Sequence, residues 1–128
     1  GDFPDYDKVI PKTYNTRLTL ERKKFFSCMR RVSLVTSEKS NIVRLSLENG
    51  KMVLSANTPE LGEATEDMDI SYDGEDEVLA FNPSYIMDFL RNETCGEIYV
   101  DIINSESPIV LRPVGDESYL YVTMPIKI

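Results

Sequence analysis

Apolar and polar positions alternate along this chain with two different periods, and the changes of period mark its elements. Residues 14–20 set Leu18 and Leu20 against Arg17 and Thr19, the period of two of a half-buried strand. Over 21–36 the period becomes helical: Phe25, Phe26, Cys28, Met29 and Val32 share one arc, and Lys23, Lys24, Ser27, Arg30 and Arg31 share the opposite one. Two alternating runs, 41–47 and 51–56, flank Glu48-Asn49-Gly50, and Asn-Gly between strands predicts a hairpin. The acidic run 63–72 reads as a further strand with Ala64, Met68, Ile70 and Tyr72 as its apolar positions, and 77–81 as another. Asn82 before Pro83 predicts an N-cap and a first helical residue, opening a helix over 84–92 with Tyr85, Ile86, Phe89 and Leu90 inward. Strands over 97–103, 108–112 and 119–124 follow. Pro125, which has no N–H to give to a ladder, ends the last of them, and Ile126, Lys127 and Ile128 leave the sheet as a short apolar tail.

The order strand, helix, strand, strand, strand therefore occurs twice, over 14–72 and over 77–124. Two such β-α-β-β-β units side by side predict an α+β domain with antiparallel sheets on one side and two helices packed on the other. The basic arc of the first helix then points away from the sheets. Residues 1–12, where Pro4 and Pro11 bracket Val9 and Ile10, read as an extended connector to a single domain over 13–128. The chain opens Gly-Asp-Phe-Pro rather than with methionine, so it reads as a piece of a larger parent.

Charge adds a polarity that the pattern alone does not reveal. The net charge is −8, yet Arg17, Arg22, Lys23, Lys24, Arg30 and Arg31 lie close together with Glu21 the sole acid among them. From Met52 to Leu90 there is no lysine or arginine, while ten acids fall in that stretch. Such segregation allows one basic face, suited to sequence-independent contact with a phosphate backbone, on an otherwise acidic molecule. No apolar run approaches the length of a bilayer span. Cys28 and Cys95, far apart and without a Cys-x-x-Cys pair, read as two buried free thiols of a reducing cytoplasm.

Candidate chemistry is sparse. Histidine is absent, which removes the commonest general base and metal ligand, and no phosphate loop or serine elbow is present. Glu63, Glu66, Asp67 and Asp69 remain as conceivable ligands of a hard cation, with alternation putting Glu63, Asp67 and Asp69 on one side of their strand. The same row read as a solvated outer face needs no metal, and neither a metal site nor a cofactor is expected.

Four motifs carry a resemblance. Phe3-Pro-Asp-Tyr6 with Val9-Ile-Pro11, the helix start Phe81-Asn-Pro-Ser-Tyr85, the strand Ser107-Pro-Ile-Val-Leu-Arg-Pro113 and the terminal Tyr121-Val-Thr-Met-Pro-Ile-Lys-Ile128 stand in the order and spacing of one family. Together they resemble the third, C-terminal domain of the bacterial sliding clamp, the beta subunit of DNA polymerase III. The resemblance implies the DNA-clamp fold and a non-catalytic role. Two chains of three such domains would form a ring that encircles duplex DNA, with helices lining the hole, while this chain alone would be monomeric. It makes Lys23, Lys24, Arg30 and Arg31 candidates for DNA contact. It also implies an apolar groove for short peptides of polymerases and clamp-loader subunits. This chain's share of that groove would be Pro4, Lys8, Val9, Asn82, Tyr85, Pro108, Val122, Thr123, Met124, Pro125, Ile126, Lys127 and Ile128. Leu34 and Val35 match where the family packs against the neighbouring subunit. Ser40 and Glu106 stand where some relatives have apolar residues, which implies a more polar groove edge. The alternative from the residues alone is a protein-interaction module with no DNA role, and Asn82 and Tyr85 read without the resemblance as a helix cap and a core aromatic.

Overall fold

Leu18 and Leu20 face inward from the first strand, and the buried residues of the first helix, Phe25, Cys28, Met29 and Val32, return every three or four positions to the same core. The computed structural model describes residues 16–36, 41–72, 74–104, 106–115 and 120–126. In chain order the elements are β1 (Thr16–Glu21), α1 (Arg22–Ser33), β2 (Val43–Glu48), β3 (Lys51–Thr58), β4 (Gly62–Asp69), β5 (Glu77–Phe81), α2 (Pro83–Asn92), β6 (Glu97–Ile102), β7 (Ile109–Pro113) and β8 (Tyr121–Thr123). The duplicated β-α-β-β-β order expected from the pattern is thus present.

The strands form two four-stranded antiparallel sheets, ordered β1-β6-β7-β8 and β4-β3-β2-β5. Each unit lends its first strand to the other: β1 pairs with β6, Leu18 opposite Val100, and β5 pairs with β2, Leu79 opposite Leu45. One apolar core joins the inner faces of both sheets to both helices, with Phe25, Met29, Leu47, Met52, Phe81, Leu90, Ile98 and Leu111 almost fully enclosed. None of the helices in the described residues is long and apolar enough to cross a membrane.

Several boundaries differ from the sequence reading, each for a local reason. The first helix ends at Ser33 rather than Thr36, because the N–H groups of Leu34, Val35 and Thr36 reach back only three residues, to Arg31, Val32 and Ser33. The acidic strand stops at Asp69; beyond it, Ile70 donates to the Gly50 carbonyl at 3.0 Å and Gly50 donates to the Tyr72 carbonyl at 2.7 Å, so the chain wraps the β2–β3 hairpin tip. In that tip only Gly50 has a positive φ, 75°, so Asn49 does not supply the second left-handed residue of a mirror-image turn. The last strand is Tyr121–Thr123; Tyr119 lies outside the described residues, and Met124 has already left the ladder before Pro125. Cys28 is buried as expected, whereas Cys95, just past α2, is only half-buried.

Candidate functional site

Asn82 opens α2 as the sequence predicts: its Oδ1 accepts the Ser84 N–H at 2.9 Å. The same oxygen accepts from Asn41 Nδ2 at 3.0 Å, and Asn41 Nδ2 also reaches Ser84 Oγ at 2.8 Å. The loop before β2 is thereby tied to the start of α2, a link that the sequence did not indicate. Pro83, Ile86, Phe89 and Leu90 are buried, but Tyr85 is 56% exposed and not inward as the helical period suggested. It lies at the edge of the apolar arc, where a ring can leave the core without breaking the pattern.

At the chain's other end, Thr123 pairs with Ile109 and Val122 with Val110. Pro108 and Met124 are the next residues beyond the paired ends of the two strands. Val122, Pro108, Pro125 and Ile126 are half-buried, and Met124 is 56% exposed. Thr123 is buried instead, since alternation turns it to the inner face with Tyr121. Two anchors set the tail beside α2. The Phe89 and Tyr121 rings meet at 5.6 Å between centroids, and the Ile126 N–H donates to the Ala80 carbonyl of β5 at 2.6 Å. The tail is thus fastened to α2 at Tyr121 and, at Ile126, to β5 two residues before Asn82 opens that helix. Pro4, Lys8, Val9, Lys127, Ile128 and Ser40 lie outside the described residues. Glu106 is exposed in a turn held by Asn104, whose Oδ1 accepts the Glu106 and Ser107 N–H groups at 2.8 Å.

The basic arc of α1 is exposed, and its members differ. Lys23, Lys24 and Arg30 make no ion pair among the described residues. Arg31 directs Nε to Glu66 Oε1 of β4 at 2.5 Å and Nη2 to Cys28 Sγ at 3.6 Å. The Glu66 hydrogen bond holds the guanidinium still more firmly protonated. Burial pushes the Cys28 thiol above its ordinary value, and the Arg31 charge only partly offsets this, so the thiol stays protonated and unreactive at neutral pH. Arg22 turns away from the arc: its Nε donates to the Cys95 carbonyl at 2.7 Å and Nη1 to the Leu90 carbonyl at 3.2 Å, closing the C-terminal end of α2. Arg17 forks onto Asp101 at 2.7 and 2.9 Å across the β1–β6 pair. Arg112 reaches the same carboxylate at 3.3 Å. Asp101 stands within the apolar part of β6, behind the exposed Glu97 that opens the strand, and an acid in such a run is a sequence signal that could have announced a buried ion pair.

Leu34 and Val35 separate. Leu34 is 73% exposed at the end of α1, and Val35 packs against the core. The acidic residues also separate: Glu63, Asp67 and Asp69 lie on the exposed face of β4, whereas Glu66 is half-buried on the helix side with Met68. Among the described residues no three acidic or cysteine side chains converge as metal ligands would.

Comparison with known proteins agrees with this geometry. The family model described as DNA polymerase III beta subunit, C-terminal domain, matches residues 7–127. The beta sliding clamp of Vibrio cholerae is 34% identical over 128 residues, covering 100% of this chain and 35% of that protein. The crystal structure of the DNA polymerase III beta subunit of Thermotoga maritima superposes with a TM-score of 0.92 at 35% identity, over 100% of this chain and 35% of that one. A Pseudomonas aeruginosa sliding clamp bound to griselimycin gives a TM-score of 0.92 at 29% identity with the same coverage. The chain thus spans about a third of the length of the relatives it matches.

Proposed function

We propose, from the premise that this chain belongs to the family of C-terminal domains of the DNA polymerase III beta subunit, that it is the third domain of one protomer of a sliding clamp. In this reading residues 1–12 connect it to the preceding domain, and two three-domain protomers close a ring around duplex DNA in the cytoplasm. The ring is not an enzyme; it keeps a polymerase on its template by topology and by holding a short peptide of the polymerase or clamp loader. The observation that carries the proposal is that Tyr85 of α2 and Met124 of the tail are both exposed while Val122, Pro108, Pro125 and Ile126 are half-buried, on a tail fastened to α2 by the Phe89–Tyr121 ring contact and to β5 by the Ile126 N–H.

Each group has a physical task there. A flexible thioether at Met124 adapts its shape to different apolar guests, and the Tyr85 ring offers a flat face with a polar tip. Among the described residues the Asn82 Nδ2 donates to nothing, so a peptide carbonyl can take that hydrogen bond. Lys23, Lys24 and Arg30 attract the duplex without reading sequence, and a topological tether needs no high affinity, which suits so acidic a molecule. Leu34 is the apolar residue left uncovered for a neighbouring protomer, with Val35 supporting it from the core.

The test is an NMR titration of the chain with a short peptide containing glutamine, leucine and phenylalanine. Shifts are expected to cluster at Tyr85, at Pro108 and over 122–126, and Met124→Ala should weaken binding about tenfold, equivalent to roughly 1.4 kcal/mol. Shifts elsewhere, or affinity unchanged in Met124→Ala, would remove the groove.

A further inference from the structure

Arg31 belongs to the basic arc of α1 by sequence, yet its position is set by another element. Glu66 rises from the helix side of edge strand β4, where α1 packs, and accepts the Arg31 Nε hydrogen at 2.5 Å. Half of the Arg31 side chain stays exposed, and about a third of Glu66 does, so the pair sits at the open margin between helix and sheet. Its neighbours on the arc, Lys23, Lys24 and Arg30, are exposed and have no carboxylate on them among the described residues. A carboxylate and a phosphate both offer two oxygens to a guanidinium and compete for the same donors. Surface ion pairs of this kind are weak enough to exchange partners.

Building on the proposal that the α1 arc faces DNA, we propose that Glu66 acts as a built-in substitute for a phosphate at Arg31. It withholds that one cation from the duplex and keeps the helix–DNA contact loose enough to slide. With Glu66 in place, Arg31 is held sideways along β4 and the phosphate contacts fall to the lysines and Arg30. Without it, the guanidinium is released toward solvent and joins them. The exposed acids on the other face of the same strand, Glu63, Asp67 and Asp69, pair with no member of the arc among the described residues, Asp67 meeting Lys51 instead at 3.2 Å.

The experiment is duplex binding by this chain at low salt, followed by fluorescence anisotropy over a salt series. Glu66→Gln keeps the shape of the side chain and removes its charge. It should tighten binding several-fold and steepen the slope of log affinity against log salt by about 0.9, the value of one added phosphate contact. Glu63→Gln removes the same charge from the opposite face and should leave the slope unchanged. In an Arg31→Gln background the Glu66→Gln gain should vanish. If the native chain binds no duplex at any salt, the DNA-facing reading fails and this inference falls with it. If it binds but Glu66→Gln leaves the slope unchanged, or the gain persists with Arg31→Gln, the inference alone is overturned.

Discussion

Arg22 shows how little a residue's charge says about its employment. It stands among lysines and arginines at the head of α1, yet its guanidinium closes the end of a different helix by taking the Leu90 and Cys95 carbonyls. Its own N–H donates to the Gly96 carbonyl at 2.9 Å, so backbone and side chain fasten the two units at one point. Arg22→Ala should lower unfolding stability by about 2 kcal/mol, the usual worth of hydrogen bonds to a charged donor. Arg22→Lys should recover less than half, since an ammonium cannot span both carbonyls. Urea unfolding of the three proteins measures this, and an Ala variant as stable as the native chain would mean that the bonds contribute nothing net.

At the scale of elements, the tail depends on β5, not on β8 alone. Three residues of β8 pair with β7, and the described chain then departs, held by one backbone bond from Ile126 to Ala80. Ile126→Pro removes that donor, while Ile126→Ala keeps it and removes only the side chain. The proline variant should lose about 1 kcal/mol beyond the alanine variant and release the tail, seen as lost protection of the Met124 amide together with weaker peptide binding. Equal protection in the two variants would show that packing alone positions the tail. The two helix starts were equally readable in principle, but only Asn82 followed by Pro83 carried an explicit signal; α1 begins after Glu21 with no side-chain cap.

For the whole molecule the governing feature is the exchange of first strands between the units. β1 has no partner within its own unit, and β5 completes the sheet of the other. A chain cut between Asp76 and Glu77 should therefore give halves that show no cooperative unfolding alone and regain it on mixing, because each leaves a strand unpaired and a sheet one strand short. Cooperative unfolding of the first half by itself would contradict this. The exchange also leaves β5 and β8 each at the edge of a sheet, and the tail beyond β8 reaches β5 through the Ile126–Ala80 bond beside the start of α2.

What the sequence determined by itself was local: periods of two and 3.6, the Asn82-Pro83 helix start, the end of the last strand to within a residue or so of Pro125, the duplicated element order and the basic arc of α1. These are set by neighbours a few residues away, so a single pass along the chain reads them. Its four terminal and internal motifs also pointed to the right family, because their spacing survives in one dimension. Only the tertiary structure decided that the units trade strands, that Tyr85 lies outward and Thr123 inward, that Arg22 serves α2, and that Arg31 answers to Glu66 thirty-five residues away. Each of those depends on which surfaces meet across the core. Periodicity gives a side chain's face on its own element, and packing alone gives what that face is turned toward.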